Sequence, residues 1–226
     1  MCVVCSISYA TVATTMALTT APMAPTAQQP CETLSLCQVE SALTLPATLS
    51  GLAAPSVATP EWLKPKTAVT YSVETRGTIT ADLAEFKQQA HATLNDSRGW
   101  SRLDATFTEV ASGGSFTLVL AEASQVPSFS ATGCSTTYSC TVGRYVIINQ
   151  DRWLGATDPW NSAGGTLRDY RHMVVNHETG HWLGHGHEYC GGPGEAAPVM
   201  QQQSIGLQGC TFNPWPLDSE IWSSRI

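Results

Sequence analysis

The run beginning at residue 177 reads H-E-T-G-H-W-L-G-H-G-H. His177 and His181 are four apart, a spacing that on a helix puts both imidazoles on one face, where they can share one metal ion. Gly184 can take the left-handed conformation that ends a helix. The chain can then turn back and bring His187 in as a third nitrogen ligand. Three protein ligands leave a zinc ion a fourth position for water, the pattern of catalytic rather than structural sites. Glu178 is adjacent to the first ligand and can take that water's proton, passing it later to a leaving amine. The chemistry expected is hydrolysis of peptide bonds, with Zn2+ as cofactor, His177, His181 and His187 as metal ligands and Glu178 as catalytic base. Other first-row ions also bind imidazoles, but three of them suit zinc.

The other residues of these types have plainer readings. His185 is at offset +8 from His177 and is expected in a loop behind the ligands, the first substitute if His187 fails. His91 belongs on the wet side of its helix, and His172 lies off the stripe of His177 and His181. Trp100, Trp153 and Trp182 are expected in the core. Asp151 and Arg152 are expected at most as a structural ion pair.

The elements that must position the motif can be read from periodicity. Leu167, Tyr170, Val174, His177 and His181 fall on one helical stripe, whose apolar residues give way to histidines. Upstream, Val69, Tyr71 and Val73 alternate with polar neighbours, as in a strand with one wet face. Thr80 and Asp82 start a helix carrying Leu83, Phe86, Ala90 and Leu94, which Asn95 to Gly99 ends. Strands follow through Ala105 and Phe107, and through Phe116, Leu118 and Leu120, the second again alternating. A Ser-rich loop holds Cys134 and Cys140. Tyr145 to Ile148 is a continuous apolar run that suits a strand buried on both faces. A loop marked by Gly155, Pro159, Gly164 and Gly165 leads into the motif helix, and Leu217 to Trp222 can form a last short helix.

With these residues in place, the run resembles the extended zinc motif of the metzincin metallopeptidases, H-E-x-x-H-x-x-G-x-x-H, and departs from none of its five defining positions. Met200, in Pro198-Val199-Met200, stands where the resemblance implies a structural methionine turn beneath the metal; the plainer reading is a methionine filling core space. Arg98-Gly99-Trp100, the run Ile148 to Gly155 and Val199 to Gln203 further resemble a family of secreted actinobacterial proteins bearing a domain of unknown function, over about residues 65–216. The implied fold is α+β and metzincin-like. A twisted mixed sheet with two long helices would lie above the zinc cleft, and a small irregular C-terminal part would carry the methionine turn. Some metzincins use a tyrosine two residues after that methionine; here the position is Gln202, so no tyrosine assistance is expected from it. In some relatives a pro-segment cysteine caps the zinc. Cys31 or Cys37 could do so, but the sequence around them shows no such pattern, and their mutual pairing is preferred.

Composition bounds the rest. The chain has 226 residues, a net charge of -7 and only 13% charged residues. An acidic chain without basic runs argues against nucleic acid as a partner and gives no sign of binding anionic lipid. Eight cysteines, an even number on a loop-rich chain, favour disulfides and an oxidising compartment. Cys134–Cys140 and Cys190–Cys210 are the expected local pairs. Residues 1–60 hold two charged residues, Glu32 and Glu40, and read as a poorly ordered leader with linker, or a pro-segment; residues 61–226 read as the peptidase domain. Residues 2–24 loosely resemble a secretion signal, but no Lys or Arg precedes Lys64. A degenerate or truncated leader and a disordered tail both remain open.

The expectation is a secreted or cell-envelope monomer acting on a protein or peptide substrate, with no membrane association in the mature form. The alternatives are a zinc-stabilised binding or cell-envelope module without turnover, and a zinc hydrolase of non-peptide amides.

Overall fold

The computed structural model describes residues 66–226. The expected division near residue 60 and the Cys31–Cys37 pairing lie outside the described residues. Five strands form one sheet: β1 (Thr67–Arg76), β2 (Ala105–Glu109), β3 (Phe116–Ala121), β4 (Cys140–Val142) and β5 (Tyr145–Asn149), in the order β2-β1-β3-β5-β4. Every neighbouring pair is parallel except β4 with β5, which is antiparallel. Four helices accompany it: α1 (Leu83–Asn95), α2 (Gln150–Gly155), α3 (Asp158–Ser162) and α4 (Leu167–Leu183).

Asp82 caps α1, its carboxylate accepting from Ala84 N at 2.8 Å and Glu85 N at 3.0 Å. Phe86, Ala90 and Leu94, at helical spacing, turn inward onto the sheet and are fully buried, while Leu83 is left partly in solvent. They join Val69, Tyr71, Phe107, Leu118, Val146 and Ile148 from the sheet, together with Trp100, Trp153 and Trp182, in the main core. Each Val, Leu, Ile or Phe side chain among them contributes about 1.5–3 kcal/mol by leaving water. The three tryptophans thus sit in the core as expected.

Three local expectations are corrected. Strand β3 is buried along its whole length, not on alternate residues. Its second face, with Val119 and Ala121, is covered together with Ile147 by Val126, Cys134 and Cys140 in a smaller core. That cover comes from the segment read from sequence as a loop. Cys140 itself belongs to strand β4, too short at three residues to show any alternation. The Gly- and Pro-marked stretch before the motif contains two short helices, α2 and α3. Asn149 caps α2 by accepting from Asp151 N at 3.0 Å, and Pro159 fits the first turn of α3, where its missing N–H costs nothing. Asp151 and Arg152 form no ion pair among the described residues.

Helix α4 runs through the middle of the fold and is buried from Tyr170 to Gly180. Thr166 caps its start, accepting from Asp169 N at 3.0 Å. Gly184 ends it in the left-handed conformation at φ 111°, where an L side chain would be strained. Arg171 fastens it laterally, donating to Glu85 on α1 at 2.6 Å and to the Trp153 carbonyl at 2.9 Å. After Gly184 the chain is irregular. It holds two isolated bridges, Glu188 with Gln201 and Ala196 with Thr211, and one 3-10 turn at Asp218–Glu220. The Cys190–Cys210 disulfide closes this part, and Cys134–Cys140 closes the loop before β4, as the sequence suggested.

Candidate metal centre

The last two turns of α4 bring His177 and His181 together, and the turn after Gly184 returns His187 to them. One ring nitrogen from each lies within 4.8 Å of the others, a group that could hold a metal ion. His181 Nε2 and His187 Nε2 are 3.1 Å apart. Two ligands on one tetrahedral zinc lie roughly 3.3 Å apart, given bond lengths of about 2.0–2.1 Å.

Hydrogen bonds fix two of the tautomers. His177 Nδ1 is 2.8 Å from the Val199 carbonyl and His181 Nδ1 is 3.0 Å from the His185 carbonyl. A carbonyl only accepts, so both Nδ1 atoms must donate, and the Nε2 lone pairs are free for a cation. Burial, reinforced by the neighbouring His181, pushes the His177 pKa down to about 3, against the Val199 bond that supports the proton. Burial also lowers His181 and His187. All three rings are therefore neutral near pH 7, the state that binds metal. The facing nitrogens repel one another unless a proton or a cation lies between them, so the donor set fits a divalent ion.

Glu178 points to the same space from within the protein and is only 4% exposed. Thr141 Oγ1, from strand β4, lies 2.8 Å from the Glu178 carbonyl and 3.0 Å from its Oε2. Burial raises the Glu178 pKa to about 8, and the Thr141 bond only partly offsets this. The four side chains open onto a cavity of about 500 Å³ that is also lined by Tyr138, Met173, Gln202, Ile205 and Arg225.

Met200 packs against the helix that carries His177 and His181. Pro198 to Gln201 form a turn, with Gln201 N donating to Pro198 O at 3.0 Å. The Met200 side chain is fully buried against Gly180. The turn is tied to the histidine segment through its backbone: Val199 O accepts from His177, and Met200 O accepts from Glu188 N at 3.0 Å, one residue past His187.

Residues 53–214 match the family model described as a protein of unknown function, DUF3152. The chain belongs to that family. No curated protein matches the DUF3152 chain. Among solved structures it is similar to archaemetzincin from Methanopyrus kandleri, with a TM-score of 0.40 and 12% identity over 70% of this chain and 94% of that one. So distant a likeness transfers no residue role or activity to the DUF3152 chain.

The remaining histidines follow their plainer readings. His185 is buried; its carbonyl receives His181, and its ring packs on Trp222 with Nε2 donating to the Trp222 carbonyl at 2.9 Å. His91 is exposed, and His172 is bonded to Thr93 Oγ1 at 2.8 Å. Sequence reasoning missed Thr141, which is one hydroxyl in a Ser/Thr-rich stretch, and Glu220, one of 18 acidic residues. Neither carries a local pattern that marks it.

Proposed function

We propose that this chain is a secreted zinc metalloendopeptidase of the metzincin type, with His177, His181 and His187 holding Zn2+, Glu178 as general base and Met200 as the methionine of the turn below. The observation that carries the reading is that three grouped, neutral imidazoles and a buried carboxylate line one open cavity. A purely structural zinc site has no use for that carboxylate. When bound, the ion supplies Lewis-acid polarisation of the scissile carbonyl and acidifies water.

The chain's own residues do the rest. Glu178 Oε2, held by Thr141, takes a proton from the attacking water and delivers it to the amine that leaves. A cation beside Glu178 favours its ionised form, against the burial that raises its pKa. Among the described residues strand β4 pairs with β5 along one edge, and its other edge offers backbone groups to an extended peptide lying across the cavity. Gln202 lines the cavity where some metzincins carry tyrosine. The two disulfides support secretion. No helix among the described residues is long and apolar enough to cross a membrane.

The test is cleavage of casein and of a peptide library by the full chain, with metal content measured in parallel. Wild type should cleave, lose activity to a chelator and regain it with Zn2+. Glu178→Ala should bind zinc yet cleave roughly 10²–10⁴-fold more slowly. Undiminished activity in Glu178→Ala would remove the general base. Zinc bound by wild type without cleavage of any peptide would instead support a binding module.

A further inference from the structure

Glu220 is a second buried carboxylate, 3% exposed, with no cationic partner among the described ion pairs. It accepts three backbone N–H groups: Met200 on Oε1 at 2.8 Å, and Val199 at 2.9 Å and Leu217 at 2.7 Å on Oε2. Met200 N–H and Val199 C=O belong to one peptide group. That carbonyl accepts from His177 Nδ1 at 2.8 Å. A single line of bonds therefore runs from the Glu220 carboxylate through one peptide to the ring of His177.

We propose that Glu220 is a positioning residue for the metal centre, acting on His177 through the Val199–Met200 peptide. The inference rests on the reading of His177 as a metal ligand. A negative charge on the N–H side of an amide draws electron density toward its oxygen, because hydrogen bonds in a chain polarise one another. The Val199 oxygen then holds the Nδ1 proton more strongly, which fixes the tautomer and makes Nε2 a better donor to metal. Histidine ligands usually achieve this with a carboxylate or carbonyl directly on the other nitrogen; here one peptide stands between. The same carboxylate pins the turn whose Met200 carbonyl receives Glu188, next to His187. Two of the three ligands thus depend on Glu220, while His181 donates to His185 and stands outside the line. Glu220 lies beyond the family-matched residues 53–214.

The experiment compares full-length wild type, Glu220→Gln and Glu220→Asp. Zinc affinity is measured against a competing chelator, folding by thermal melts of the metal-free proteins, and ring protons by NMR of histidine-labelled samples. Glutamine keeps the size but loses the charge and one acceptor. It should weaken zinc binding by roughly 10–100-fold, the range for partners behind metal ligands. In the metal-free protein it should move the His177 Nδ1–H resonance and leave that of His181 in place. Aspartate keeps the charge and should recover most of the affinity. If Glu220→Gln does not fold, Glu220→Asp is read alone in the metal-free protein, where its shorter reach should still move the His177 Nδ1–H resonance and leave that of His181 in place. Unchanged affinity in Glu220→Gln, or resonances of His177 and His181 that stay put or move equally in whichever variant folds, overturns the proposal, equal movement by revealing a merely structural anchor. Wild type that binds no zinc overturns the metal reading, and the metal-free resonances still judge the bond line by itself.

Discussion

At the scale of single residues, the centre is defined as much by what holds the side chains as by the side chains themselves. Carbonyl acceptors choose the tautomer for His177 and His181, so which ring nitrogens are left free for a cation follows from backbone geometry. For Glu178 the holding group is the Thr141 hydroxyl, 3.0 Å from Oε2. A hydrogen bond to a charged group is worth about 1.5–3 kcal/mol, and a carboxylate left buried without one is mis-aimed and harder to ionise. Thr141→Val keeps the shape and removes the donor, so kcat/KM for peptide cleavage should fall roughly 10–100-fold with zinc content unchanged. Thr141→Ser should restore most of the rate. A valine variant as fast as wild type would show that Glu178 needs no such support.

At the scale of elements, helix α4 and the Met200 turn are built against each other. A methyl group placed on Gly180 would collide with the Met200 sulfur and come within 2.9 Å of Trp100 Cζ2. In an open helix, glycine to alanine gains about 1 kcal/mol. Here overpacking of a fully buried contact costs about 1–3 kcal/mol and wins. Gly180→Ala should therefore lower stability in urea unfolding, and combining it with Met200→Ala should cost less than the two single changes added together. Strict additivity would mean the helix and the turn are not packed as described. The same contrast explains what was legible beforehand. Helix α4 announces itself through a long stripe and a terminal glycine, both local signals. Strand β1 and helix α1 do likewise. Strand β4 has three residues and exists because β5 lies beside it, and the second buried face of β3 depends on a disulfide loop more than ten residues away in sequence. Such features are set by tertiary contacts that no local window contains. The three histidines were legible because one helix and one turn place them; Thr141 and Glu220 arrive from distant segments and were not.

At the scale of the whole molecule, a regular half and an irregular half meet at the three histidines. His177 and His181 stand on α4, which is fixed to the sheet, and His187 stands on a segment with almost no regular structure of its own. That segment is held by the Cys190–Cys210 disulfide, by Gln203, whose amide donates to Pro198 O at 3.1 Å and Asn213 O at 2.7 Å, and by the Glu220 carboxylate. A cation shared by the three histidines would add a further tie between the halves, one the unfolded chain cannot reproduce. Binding at about 100 times the dissociation constant stabilises by about 2.7 kcal/mol. For a domain of this size, each kcal/mol shifts the melting temperature by about 2–4 °C. Removing the metal should therefore lower it by roughly 5–11 °C, with Zn2+ restoring it. His187→Ala cuts the tie on the irregular side only, so its melting temperature should sit near that of the chelated wild type and respond far less to either treatment. The two proteins compared by calorimetry with chelator and with Zn2+ decide the matter. A wild-type melt indifferent to both would mean that no cation joins the halves, whereas a His187→Ala melt as responsive as wild type would place the ion on other residues.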